Sequence, residues 1–144
     1  MKKIPPIEKI FEAWTALAAG RVLLHHDYAD VSSSDGEKAY VVRFSGNQYS
    51  SDDNATFWQG YPGYPVIAVM MLQGKLPYDE EEAKLWDNIN WTQLNKRHKN
   101  NYAEAVKEIA AERGIDLEKS YRDAHKVLEA IKESPVEIKR KIKA

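Results

Sequence analysis

The sequence predicts an α+β fold: an N-terminal helix, a small antiparallel sheet of two or three strands, and a mostly helical C-terminal half packed on it. Three observations carry that expectation. Apolar residues near the start recur at helical spacing, residues 21–45 alternate, and the chain after Pro65 is punctuated by helix caps and stops. The 144 residues fit one domain, 1–144, with no internal repeat and no linker that would split it.

Ile7, Ile10, Phe11, Trp14 and Leu17 place a helix over Pro6–Ala19, with Pro6 in the first position and Gly20 as the left-handed stop. A strand follows over Arg21–Tyr28, with Val22, Leu24, His26 and Tyr28 on one face and Leu23, His25 and Asp27 on the other. Ser32–Gly36 is turn chemistry, and a second strand covers Glu37–Ser45, so the two strands form a hairpin. Gly46-Asn47 marks another turn, Ser50–Asn54 a polar loop, and Thr56–Gln59 a short third strand.

The apolar run Pro65–Gln73 suits a buried strand or a buried helix. Pro65, Gly74 and Pro77 favour the helix. Asp79 and Glu82 form a cap-like pair before a helix whose Leu85, Trp86 and Ile89 face inward. Asn90 and Gln93 open a helix over Trp91–Arg113, about 35 Å long, ended by Gly114. Asp116 starts another helix, whose stripe is Leu117, Tyr121, Ala124, Leu128 and Ile131. Ser134-Pro135-Val136-Glu137 matches a capping box for a last short helix.

Composition narrows the function classes. With 43% hydrophobic and 30% charged residues the chain is globular, and four Trp, eight Tyr and three Phe supply its core. The net charge of −1 lacks the basic excess of a dedicated nucleic-acid binder. The absence of cysteine removes thiol catalysis, Cys-based zinc sites and disulfides. No long apolar run follows the basic Met1-Lys2-Lys3 start, so the expected location is the cytoplasm, with no membrane partner.

Four segments could carry function. His25 and Asp27 share a strand face and, with Asp52, form a candidate divalent-metal set; ordinary surface polarity explains the same residues. Trp58, Tyr61 and Tyr64 lie in the aromatic, glycine-rich run Phe57–Tyr64, which suits either a ligand pocket or a packed connector. Gln93, Lys96, Arg97 and Lys99 bear base- and phosphate-reading groups, and the Asn88–Asn90 connector permits a helix-turn-helix arrangement; a solvated helix face accounts for them equally. The tail Lys139–Lys143 complements a helix end or touches phosphate.

Nothing matches a phosphate-binding loop, a dinucleotide fingerprint, a His-Glu-x-x-His zinc motif or a Gly-x-Ser-x-Gly elbow, so no residue is assigned a catalytic role and no cofactor is expected. The resulting expectation is a non-enzymatic binding or assembly module. The heptad-like stripe of Leu117–Ile131 permits a homo-oligomer. A nucleic-acid binder and a small metal-dependent hydrolase are the alternatives.

The stretch Asn54–Tyr102 resembles uncharacterised conserved proteins of hyperthermophilic archaea. The resemblance rests on Trp58-Gln59-Gly60-Tyr61, Gly63-Tyr64-Pro65, Gly74-Lys75-Leu76-Pro77 and Asn90-Trp91. It implies no known activity and supplies no catalytic residues.

Overall fold

The computed structural model describes residues 2–142; Met1 and Lys143, which entered the readings of the two termini, lie outside them. Two helices form its centre. Helix α1 (Glu8–Ala18) starts two residues later than expected and ends at Gly20, whose φ is 68°. Its run Ile10–Ala16 is buried on every side. Helix α2 (Tyr64–Leu72) is the apolar 65–73 segment, with Pro65 in its first turn and Pro65–Met71 all buried. A helix apolar all round needs neighbours around it, and α1 and the sheet provide them.

The sheet has five strands rather than two or three. Strands β1 (Val22–Leu24), β2 (Tyr28–Ser32), β3 (Ala39–Ser45) and β4 (Gln48–Ser51) are antiparallel neighbours in chain order, and β5 (Glu137–Ile138) adds parallel to β4. The expected strand Arg21–Tyr28 is therefore β1 plus a turn. The His25 amide donates to the Tyr28 carbonyl at 2.8 Å, closing a hairpin that no Gly or Pro announces. Strand β4 takes in Ser50 and Ser51, the first two residues of the expected polar loop, because the Gly46-Asn47 turn folds Gln48–Ser51 back onto β3 and buries Tyr49.

Thr56–Gln59 is not a strand but part of a single wide π turn, Ala55–Gln59, anchored by the Asp53 carboxylate. The capping box at Ser134 starts no helix either. The Glu137 and Lys139 amides donate to the Asn47 and Tyr49 carbonyls, both at 2.8 Å. Pairing the open edge of β4 outweighs a short helix of few residues.

Helices α3 (Glu80–Leu85), α4 (Trp91–Arg97), α5 (Tyr102–Arg113) and α6 (Leu117–Glu133) complete the C-terminal half. The expected continuous helix 91–113 is broken. Lys99 and Asn100 take left-handed backbone, φ 53° and 64°, and the Asn101 side chain accepts the Glu104 amide to start α5 afresh. Asn is the common left-handed residue after Gly and a strong N-cap, so His98-Lys99-Asn100-Asn101 favours stop and restart over continuation. Asp79 caps α3 as expected, while Leu85 is 44% exposed, not inward; Trp86 beside it is fully buried.

The inner sheet face (Ala29, Val31, Val42, Tyr49) packs on the central helices. Phe11 meets Trp14 and Trp86 edge-on, at 5.0 and 4.6 Å between centroids. The Trp91 indole donates to the Thr15 hydroxyl at 2.8 Å, which ties α4 to α1. Within the α6 stripe, Ala124, Leu128 and Ile131 are buried in the chain's own core.

Candidate functional site

A polar cleft of about 300 Å³ opens where α1, β3, the π turn and the α4–α5 break converge. Its floor is a buried carboxylate. One Asp53 oxygen accepts the Ser51 hydroxyl; the other accepts the Thr56 amide at 3.0 Å and the Thr56 hydroxyl at 3.1 Å. The Thr56 hydroxyl in turn accepts the Gly63 amide at 2.9 Å. Gly63 is required by space here: a Cβ on it would collide with the Asp53 carboxylate and sit 2.8 Å from Thr56 Oγ1. The Gly63-Tyr64-Pro65 signature thus locks the π turn against the start of α2.

The back wall comes from α1. Glu12 is 7% exposed, and Lys9 Nζ forms an ion pair with its Oε2 at 3.1 Å. Burial pushes the Glu12 carboxyl above its ordinary 4.5, and Lys9 offsets this only in part. Burial by itself would lower Lys9; the adjacent Glu12 carboxylate outweighs it and holds the ammonium above the ordinary lysine range. Lys9 also sits 4.4 Å above the Tyr102 ring. Two buried acceptor atoms, Glu12 Oε2 and Asn95 Oδ1, have no hydrogen-bond partner among the described residues. Both residues line this cleft, although they come from helices some eighty positions apart.

Tyrosines frame the opening. Tyr40 and Tyr64 meet edge-on at 6.4 Å, and burial raises both hydroxyls above the usual phenol range. Lys96 and Asn100 complete the rim beside Tyr102. Buried acceptors, a lysine and tyrosine hydroxyls can together orient a small polar molecule.

The expected site residues scatter. Of the aromatic trio, Tyr64 lines the cleft. Tyr61 is half-buried, its hydroxyl raised mainly by burial and within reach of the charges on Lys9 and Glu12. Trp58 is 63% exposed, with the Arg140 guanidinium 5.6 Å over its ring. The metal set does not assemble, because His25 and Asp27 sit in a turn rather than on a strand face. His25 Nε2 instead meets Asp30 at 3.0 Å, and Asp52 accepts the Val41 amide at 2.9 Å. No group of three His, Cys, Asp or Glu residues able to hold a metal occurs among the described residues.

Of the helix set, Lys96 reaches the cleft, Arg97 pairs with Glu108, and Gln93 and Lys99 are exposed. His98, which falls on the apolar stripe, bonds Glu108 at 2.9 Å and draws that carboxyl below its ordinary value.

Sequence reasoning missed Lys9 and Glu12, and gave Asp53 and Asn95 no part in a small-molecule site. Glu12 had a signal: it is the lone charge in the apolar and small run Ile10–Ala19. Asp53 had a weaker one, three residues before Thr56 at capping distance. Asn95 had none.

No helix among the described residues is long and apolar enough to cross a membrane. Comparison with protein families matches residues 2–137 to the model described as uncharacterised conserved protein UCP014422, and the chain belongs to that family. Comparisons with curated proteins and with solved structures found no match.

Proposed function

We propose that this member of an uncharacterised family is a binding module for a small polar molecule rich in hydrogen-bond donors, seated in the cleft between α1 and the α4–α5 break. The observation that carries the reading is the pair of buried acceptors, Glu12 Oε2, met only by Lys9, and Asn95 Oδ1, on two residues that line one cleft. An unsatisfied buried acceptor costs about 1–3 kcal/mol. A ligand hydroxyl, amide or ammonium that supplied the missing donors would recover that cost on binding. Tyr40, Tyr64 and Tyr102 give such a molecule flat walls and hydroxyls, and Lys9 and Lys96 accommodate an oxygen-rich end.

Thermal unfolding with four compound classes tests the reading: hexoses, ribonucleosides, α-amino acids and short diamines. One class should raise the melting temperature of the wild type by about 2–4 °C per kcal/mol of binding linkage. Glu12→Gln and Asn95→Ala should lose that rise. If no class stabilises the wild type, and ligand-observed NMR also detects no contact, the reading fails.

The Lys- and Glu-rich, cysteine-free composition suits a thermophile's cytoplasmic protein, and an origin in a hyperthermophilic archaeon is what the resemblance around Trp58-Gln59-Gly60-Tyr61 implies. Self-association would use Leu117 and Tyr121, the partly buried end of the α6 stripe. Sedimentation equilibrium tests it; a strict monomer at high concentration removes it.

A further inference from the structure

The outer face of the sheet carries a second, separate feature. The register Tyr28–Arg43–Ser50 sets three side chains in a row across β2, β3 and β4, on the face away from the helices. His25 stacks on Tyr28 at 4.4 Å with planes 26° apart, and the Arg43 guanidinium lies 5.7 Å from the Tyr28 ring. Beyond Ser50 the C-terminal tail brings Arg140 over Phe57 at 5.4 Å and over Trp58 at 5.6 Å. A groove of about 340 Å³ runs between the two arginine–aromatic pairs, lined by Arg43, Ser50, Phe57, Arg140 and Lys141.

Three cations, Arg43, Arg140 and Lys141, gather at this groove with one carboxylate, Asp52. Several surface cations pair with carboxylates, as in Lys84–Glu81, Arg97–Glu108, Arg113–Asp87 and Lys132–Glu129. Arg43, Arg140 and Lys141 form no ion pair among the described residues. Asp52 at the groove already accepts the Val41 amide, and Asp30 nearby is held by His25. Trp58 is 63% exposed, while Trp14, Trp86 and Trp91 are buried. An exposed indole under a guanidinium offers its free side to another planar group.

The geometry points to a docking groove for single-stranded nucleic acid, with phosphates on Arg43, Arg140 and Lys141 and a base stacked on Trp58. An exposed indole beside unpaired cations suits a flexible strand, whose bases are free to splay. A duplex hides its base faces and leaves the aromatics nothing to stack on. The α4 set, Gln93, Lys96, Arg97 and Lys99, takes no part in this groove.

Fluorescence anisotropy with labelled oligo(U) and oligo(dT) of roughly ten nucleotides tests the proposal, with duplex DNA and inorganic polyphosphate as further probes. Both single strands should bind at low salt and quench the Trp58 emission. Trp58→Ala should weaken binding by about fivefold to hundredfold. Arg43→Ala and Arg140→Ala should each weaken it and flatten the log–log salt dependence by about one unit. Lys107→Ala, on the far helix α5, should leave affinity unchanged. All four positions are exposed or half-exposed, so unaltered melting temperatures would show that the variants fold. The proposal is overturned by no binding at low salt, by equal loss in Lys107→Ala, or by polyphosphate binding as tightly as oligo(U) with Trp58→Ala unaffected.

Discussion

The cleft behind Lys9 and the seam between α3 and α6 each bury a glutamate, and the two are partnered differently. In the seam, Glu82 Oε1 accepts the Ser120 hydroxyl and Oε2 lies 3.1 Å from Lys119 Nζ; Ser120 in turn accepts the Trp86 indole N–H at 3.3 Å. Lys119 also reaches Asp123 at 2.9 Å, and hydrogen bonds to Asp123 and Glu82 raise its ammonium above the ordinary lysine range. Every buried oxygen there has a donor. In the cleft, Glu12 Oε2 meets only the Lys9 ammonium, and Asn95 Oδ1 has no hydrogen-bond partner among the described residues. Both regions exclude water from a carboxylate; one closes the hydrogen-bond network and the other leaves it open. A closed network specifies packing, whereas an open one beside a cavity has capacity left for a ligand.

Three substitutions test that contrast, the largest effect first. Gly63→Ala drives a methyl group into the Asp53 carboxylate and Thr56, both held by hydrogen bonds that resist moving. It should cost about 2–4 kcal/mol, measured by denaturant unfolding, and abolish any ligand-induced stabilisation. A near-neutral result would show that the cleft floor is pliable. Glu82→Ala strips Ser120 and Lys119 of their acceptor and should cost about 2–3 kcal/mol, with no change in ligand response. A loss of ligand response would show that the two regions are coupled.

Glu12→Gln has the smallest expected effect, under about 1 kcal/mol at neutral pH, because it exchanges an underpartnered carboxyl for a neutral amide of the same shape. Its signature is the pH dependence. Burial raises the folded-state Glu12 above 4.5, so the folded chain holds this proton more tightly than the unfolded chain. The contribution is fully present below about the ordinary carboxylate range and is lost as pH rises through the higher folded-state value. Wild type should therefore lose stability relative to Glu12→Gln across that window. Parallel curves would mean that Glu12 is not desolvated.

Sequence was informative where one local rule acted alone. The α1 stripe, the helical 65–73 segment, and the Asp79, Asn90 and Asp116 caps all appear as expected. It misled where two local rules competed. The turn at His25–Asp27 has no Gly or Pro, so β1 and that turn read as one strand, and Ser134-Pro135-Val136-Glu137 has capping chemistry whose amides found a strand edge instead.

By itself the sequence determined the fold class, the central helices and most caps, because spacing and capping act over a few residues. Only the tertiary structure decided that Lys9, Glu12, Asp53 and Asn95 share one cleft, and that Arg43 and Arg140 flank one groove. Those meetings depend on how distant segments stack. An unpartnered acceptor becomes visible only when every group around it has been placed.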